Sequence, residues 1–136
     1  MTAERIPAPT DTPLSPADLV TEFCARWRDA GAEELAAYFT DDGIYHNVPM
    51  KAVTGKDAIT EFLRGFIDTF GGIEFDVHRQ IACGNVVFNE RSDRLTLAGR
   101  RIELPVAGVF EIIHGRISVW RDYFDMTPIT AALHDR

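Results

Sequence analysis

Apolar positions recur along this chain at two different periods, and the change comes just after residue 70. Before it the spacing is helical. Leu19, Val20, Phe23, Cys24 and Trp27 fall on one helical stripe, with Ser15 as an N-cap, Pro16 at the first helical position and Asp18 in the first turn. These signals predict a helix over 15–30 closed by Gly31, and a second short helix over 33–38. Asp41-Asp42-Gly43 reads as a turn leading into a short strand over 44–48 that Pro49 ends. A third helix is predicted over 55–70, where Ile59, Phe62, Leu63, Phe66, Ile67 and Phe70 form a wide apolar stripe. Beyond it the period becomes two, giving long strands over 73–82, 86–97, 101–113 and 116–124 joined by Cys83-Gly84-Asn85, Ala98-Gly99-Arg100 and His114-Gly115.

Helices followed by a meander of long strands predict an α+β fold: a curved, mainly antiparallel sheet wrapped around helices into a cone with one open mouth. The 136 residues, 46% of them hydrophobic, suffice for one domain over 15–136, with a disordered lead-in over 1–14 marked by Pro7, Pro9 and Pro13. Met126 and the short segment 129–133 are candidates to cap the mouth, and the sequence does not fix where they lie. A net charge of -7 with no basic run argues against a nucleic-acid partner, and the lack of a transmembrane-length apolar segment or an apolar leader argues for a cytoplasmic protein with no membrane partner. Cys24 and Cys83 show no metal spacing, and His46, His78 and His114 do not pair on one face, so neither metal nor cofactor is expected.

Candidate chemistry comes from charged residues inside strand-like segments, where ionised groups are costly unless paired. Strand parity puts Asn89, Arg91, Asp93, Leu95 and Leu97 on one face, and Ser118, Trp120, Asp122 and Phe124 on one face of the last strand. The intervening strand offers Ile102, Leu104, Val106, Gly108 and Phe110, with Gly108 permitting a close approach or a bend. If all three faces line the cone, an apolar interior holds an Asp93–Arg91–Asp122 cluster. Two carboxylates and one guanidinium sum to -1, so burial favours one shared proton and hence one acid and one base. An acid and a base in an apolar pocket suit addition of water to a poorly basic electrophile. Tyr45 and Asn47, on one face of the short strand, offer a mount for that water. Which carboxylate holds the proton is left symmetric by this argument.

The stretches Tyr45-His46-Asn47, Glu90-Arg91-Ser92-Asp93, Gly108-Val109-Phe110 and Trp120-Arg121-Asp122-Tyr123-Phe124-Asp125 resemble the limonene-1,2-epoxide hydrolase family, in order and over almost the whole chain from Ser15. The resemblance implies a cone similar to nuclear transport factor 2 and ketosteroid isomerase, a homodimer, and hydrolysis of epoxides to diols with neither metal nor covalent intermediate. It also breaks the symmetry: Asp122 would be the general base on a water held by Tyr45 and Asn47, Asp93 the general acid, and Arg91 the bridge between them.

A pocket wall drawn from Phe66, Ile67, Phe70, Leu95, Leu104, Val106, Trp120 and Phe124 would suit a small lipophilic epoxide of terpene, fatty or sterol type. Val109, Ile113, Ile117 and Val119, on the opposite sheet face, call for a cover, and a second copy is the simplest. Two other readings share the fold. A polyketide-cyclase- or steroid-isomerase-like enzyme would need one carboxylate and no Arg91, and a lipophile-binding module would need neither carboxylate.

Overall fold

The computed structural model describes residues 13–134, so most of the expected lead-in over 1–14 lies outside the described residues. The elements run α1 (Pro16–Arg26), α2 (Ala32–Ala36), β1 (Phe39–Asn47), β2 (Val53–Thr54), α3 (Lys56–Thr69), β3 (Gly71–Cys83), β4 (Val86–Leu97), β5 (Arg100–Ile113), β6 (Arg116–Tyr123) and α4 (Thr127–His134). The strands form one curved sheet in the order β2-β1-β6-β5-β4-β3. Every pairing is antiparallel except β1 with β6, which is parallel and makes the sheet mixed.

Local signals explain the helix starts. Ser15 Oγ accepts from the Asp18 amide at 3.1 Å, satisfying one of the free N–H groups of α1. The helix ends at Arg26, short of the expected residue 30. Gly31 does not close it: its backbone is extended, it N-caps α2, and its N–H donates to Glu34 Oε1 at 2.9 Å. Val20 and Phe23 from α1, Trp27 at its C-cap, and Ile59 and Leu63 from α3 are buried against the sheet. Phe23 sits at the centre, edge-on to Trp27, Tyr38, Phe39, Phe110 and Trp120.

Two bulges separate the observed strands from simple period-two readings. Asp41-Asp42-Gly43 is not a turn ahead of a strand over 44–48. β1 begins at Phe39, pairs with Ile117, loops outward, and resumes pairing at Ile44 opposite Val119. Between β5 and β6, Glu111 faces Val119 while Ile112 faces Ile117, so Ser118 is the extra residue of a bulge. The slip turns Ile117 inward, where it is fully buried, and removes it from the outer face predicted for it. From Trp120 onward the parity is as read, and Trp120 and Asp122 point to the interior.

Candidate active site

Three neighbouring strands bring the charged residues together. In register, Asn89 of β4 lies opposite Gly108 of β5, which lies opposite Asp122 of β6. Gly108 is the gap through which the cluster closes. A Cβ there would come within 2.6 Å of Arg91 Nη1, 2.8 Å of Asp122 Oδ1 and 3.0 Å of Asn89 Oδ1. Arg91 therefore reaches across β5 from β4 to β6, which any side chain at position 108 would obstruct.

Arg91 forks onto both carboxylates. Nε and Nη2 donate to Asp93 Oδ1 and Oδ2 at 2.9 and 2.8 Å, and Nη1 and Nη2 donate to Asp122 Oδ1 and Oδ2 at 3.2 and 2.7 Å. Its side chain is 0% exposed, against 8% for Asp93 and 5% for Asp122. Below the guanidinium lies the Phe75 ring, 4.6 Å from its carbon to the ring centroid. Asp122 accepts a third bond, from Trp120 Nε1 at 2.6 Å.

Burial pushes the Asp122 carboxyl above the usual carboxylate range and the charge of Asp93 adds to the rise, while Arg91 and the Trp120 N–H oppose it. Burial also works against the charge of Arg91, but Asp122 and Asp93 outweigh it and hold the guanidinium firmly protonated. Tyr45 stacks on Trp120, centroids 4.3 Å apart and planes 5° from parallel, and its hydroxyl lies 3.5 Å from Asn47 Oδ1. Burial, with Asp122 nearby, raises the affinity of that phenol for its proton. Parallel pairing sets Tyr45 beside Trp120 and Asn47 beside Asp122, so four polar side chains of β1, β4 and β6 converge at one end of a cavity.

That cavity encloses about 430 Å³. Tyr45, Asn47, Asp93 and Asp122 line its polar end; Phe66, Phe70, Leu95, Leu104, Val106 and Phe124 line its apolar walls. Met126 and Ile129 of the C-terminal segment also face it.

A model of the limonene-1,2-epoxide hydrolase catalytic domain matches residues 14–134. The chain is 40% identical over 107 residues to the epoxide hydrolase EphG of Mycobacterium tuberculosis, covering 79% of this chain and 71% of that one. The chain belongs to the limonene-1,2-epoxide hydrolase family. Among solved structures it superposes on an LEH-like epoxide hydrolase of M. tuberculosis with a TM-score of 0.74 at 29% identity, covering 89% of this chain and 96% of the other. An NTF2-like protein of Burkholderia pseudomallei K96243, 19% identical with a TM-score of 0.76 over 88% of this chain and 98% of its own, shares the fold.

Two expected wall residues of this family member stand elsewhere. Trp120 is fully buried behind Tyr45 and meets the site through its N–H to Asp122, not through the cavity wall. Ile67 is one position round α3 from Phe66, and the 100° turn per residue takes it off the stripe that faces the cavity. Phe62, Phe75 and Met50 line the cavity unforeseen. Phe75 was hidden because β3 changes register around His78, and only its pairing opposite Asp93 reveals it. Asn89 is the polar member that charge-based reasoning passed over; it shares the face of Arg91 and accepts from Nη1 at 3.1 Å. Among the described residues no three His, Cys, Asp or Glu side chains are grouped to hold a metal ion, and no helix is long and apolar enough to cross a membrane.

Proposed function

We propose that this protein hydrolyses a lipophilic epoxide to a vicinal diol in one step, by general acid and general base catalysis without an ester intermediate. The observation that carries the reading is the sharing of one buried guanidinium by two carboxylates that both face an apolar cavity. With one proton between them the cluster is neutral, which removes most of the cost of burying it. In this reading Asp122 is the base and Asp93 the acid, the hydrogen bonds to Asp122 working against the burial that raises its carboxyl. Asp122 takes three N–H donors and so is furnished as an anion, whereas Asp93 takes two, both from Arg91.

In the reaction, Tyr45, Asn47 and Asp122 hold a water against an epoxide carbon, and Asp122 takes its proton as the C–O bond forms. Asp93 gives its proton to the epoxide oxygen as the ring opens. One proton leaves the cluster and one enters it, so its net charge is the same before and after, and Arg91 remains bonded to both carboxylates throughout. The apolar walls favour a hydrocarbon substrate and exclude bulk water.

Diol formation from a panel of a cyclic terpene oxide, a fatty-acid epoxide and a sterol epoxide tests the activity and its substrate class. Asp93→Asn and Asp122→Asn should each remove nearly all turnover of whichever member is accepted; a diol-forming Asn variant would take that residue out of its role. Single turnover in ¹⁸O water with enzyme in excess should put label in the diol and none in the protein. Label in a protein carboxylate with an unlabelled diol would mean ester formation.

A homodimer through the outer sheet face accompanies this proposal. Ile81, Phe88, Ile113 and Tyr123 are exposed, and Ile81, Phe88 and Val109 form one row across three strands. Light scattering should give twice the chain mass, and Phe88→Glu should halve it.

A further inference from the structure

A guanidinium carries five N–H donors, and each of those on Arg91 can be traced to an acceptor. Two go to Asp93, two to Asp122, and the fifth, on Nη1, to Asn89 Oδ1. Asn89 is buried and is not part of the cavity wall. Because a guanidinium only donates, Asn89 must turn its oxygen toward Arg91 and its Nδ2 away. Nδ2 donates to Gln80 Oε1 on β3 at 3.1 Å, with Cys24 Sγ a weaker acceptor at 3.7 Å. Gln80 must then point its own Nε2 outward, where it donates to the carbonyl of Ala17 and to Thr21 Oγ1, both at 3.0 Å.

The result is a one-way chain of hydrogen bonds from Arg91 through two amides to α1. Its direction is set at both ends, by a group that only donates and a carbonyl that only accepts. Each amide turns its oxygen toward the cation, and aligned dipoles of this kind reinforce one another in a buried setting. Sterics do only part of this work. Phe75 covers one face of the guanidinium, but position 108, beside Nη1, has no side chain to hold its edge. Asn89 at 3.1 Å and Asp122 at 3.2 Å pull on Nη1 from different strands, so Asn89 holds the Nη1 edge of a guanidinium whose other donors go to the two carboxylates.

We propose that Asn89, held by Gln80 against α1, is a positioning residue that holds the Nη1 edge of Arg91 and so sets how Asp93 and Asp122 divide their proton. The proposal rests on the acid–base reading of the cluster given above. The other ionisable groups around it are the Tyr45 phenol from β1 and the Cys24 thiol from α1. Burial holds both in the neutral form, Cys24 being pushed up to about 12, so the carboxylate pair is what a displaced Arg91 perturbs.

Gln80→Leu breaks the last two links of the chain, Asn89 to Gln80 and Gln80 to α1, without touching Arg91, and Asn89→Leu deletes the fifth acceptor itself. The measurements are kcat and KM for cyclohexene oxide across pH, and the ¹³C titration of the Asp122 carboxyl by NMR. Gln80→Leu should melt cooperatively, keep its KM, lose about tenfold in kcat, the worth of one hydrogen bond to a charged group, and titrate Asp122 at higher pH because a loosened Arg91 holds the anion less well. Asn89→Leu should move each quantity further the same way. If it does not fold, Gln80→Leu decides alone. A lower melting temperature with kcat and the titration curve unchanged would reduce the chain to a pin between helix and sheet and overturn the proposal. Absence of epoxide turnover in the unmodified protein would count against the hydrolase reading, whereas the NMR titration decides the positioning role with or without turnover.

Discussion

Strand β4 carries two arginines three residues apart, each surrounded by carboxylates, on opposite faces of one sheet. Arg91 points inward to Asp93 and Asp122. Arg94 points outward, with Nη2 at 3.3 Å from Asp76 and 3.4 Å from Glu103, and Nη1 at 3.9 Å from Glu74. Written as residue types the two groups look alike, yet the side chain of Arg94 is 30% exposed and that of Arg91 is sealed. Water screens the outer network and lets its members exchange partners, so its geometry is loosely held. The inner one must satisfy every donor and acceptor within the protein, which holds two carboxylates in fixed places and couples their protons. Charge pattern alone does not make a reactive site; exclusion of water and a shared partner do.

Deleting the inner arginine should show the largest difference between the two faces. Arg91→Met leaves two buried carboxylates without a cation and should cost about 3–5 kcal/mol of stability, read as a lowered melting temperature. The sign with pH follows. Unpaired buried carboxylates have raised folded-state values, so the variant keeps most stability at low pH and loses it as pH rises through those values. A melt that does not depend on pH would mean that the carboxylates find other partners.

Next in size is Gly108→Ala, which touches only the inner cluster. The added carbon would sit 2.6 Å from Arg91 Nη1, so the guanidinium must move by several tenths of an ångström. Turnover should fall by about a hundredfold, in line with misplacement of reacting groups on the ångström scale, with the fold kept as judged by circular dichroism. Unimpaired turnover would show that the site tolerates a displaced Arg91.

A subtler comparison concerns pH. Burial holds Asp122 above the usual carboxylate range, so as pH falls the base should be lost sooner than an exposed carboxylate would be, and the acid limb of kcat/KM should reflect that. Trp120→Phe removes the N–H that opposes the rise, and the limb should move to higher pH by about one, the equivalent of one hydrogen bond to a charged group. A limb that stays in place would assign it to a group other than Asp122. The smallest effect belongs to the outer face. Arg94→Met should leave turnover and its pH profile unchanged and alter only the salt dependence of the melt; a loss of turnover would place the two arginines in one network.

Much of the site is readable from strand parity. The alternation through Asn89, Arg91 and Asp93 survives folding, because β4 pairs with β5 without a single slip over its whole length. The same rule failed at Ile117, where a bulge turned the residue inward, and at 41–43, where an Asp-Asp-Gly sequence with the composition of a turn loops out within a strand. Bulges depend on which partner strand is adjacent, and β1 lies beside β6, some seventy residues away along the chain. Local pattern carries no trace of that pairing. Trp120 shows the same limit: its place on the inner face was predictable, but whether it would form the wall or brace Asp122 depended on Tyr45 stacking in front of it.

By itself, then, the sequence determined the starts of α1 and α3, the faces of β4 and of β6 from Trp120 onward, the family, and the presence of two carboxylates with one arginine on inward faces, because each of these follows from short-range periodicity or from ordered motifs. Tertiary structure alone decided that the three charges meet at the gap left by Gly108, that Trp120 donates to Asp122, and that Asn89 and Gln80 tie Arg91 to α1. Those contacts join residues from α1, β3, β4, β5 and β6, and their geometry exists only once the sheet has curved and the helices have closed over it.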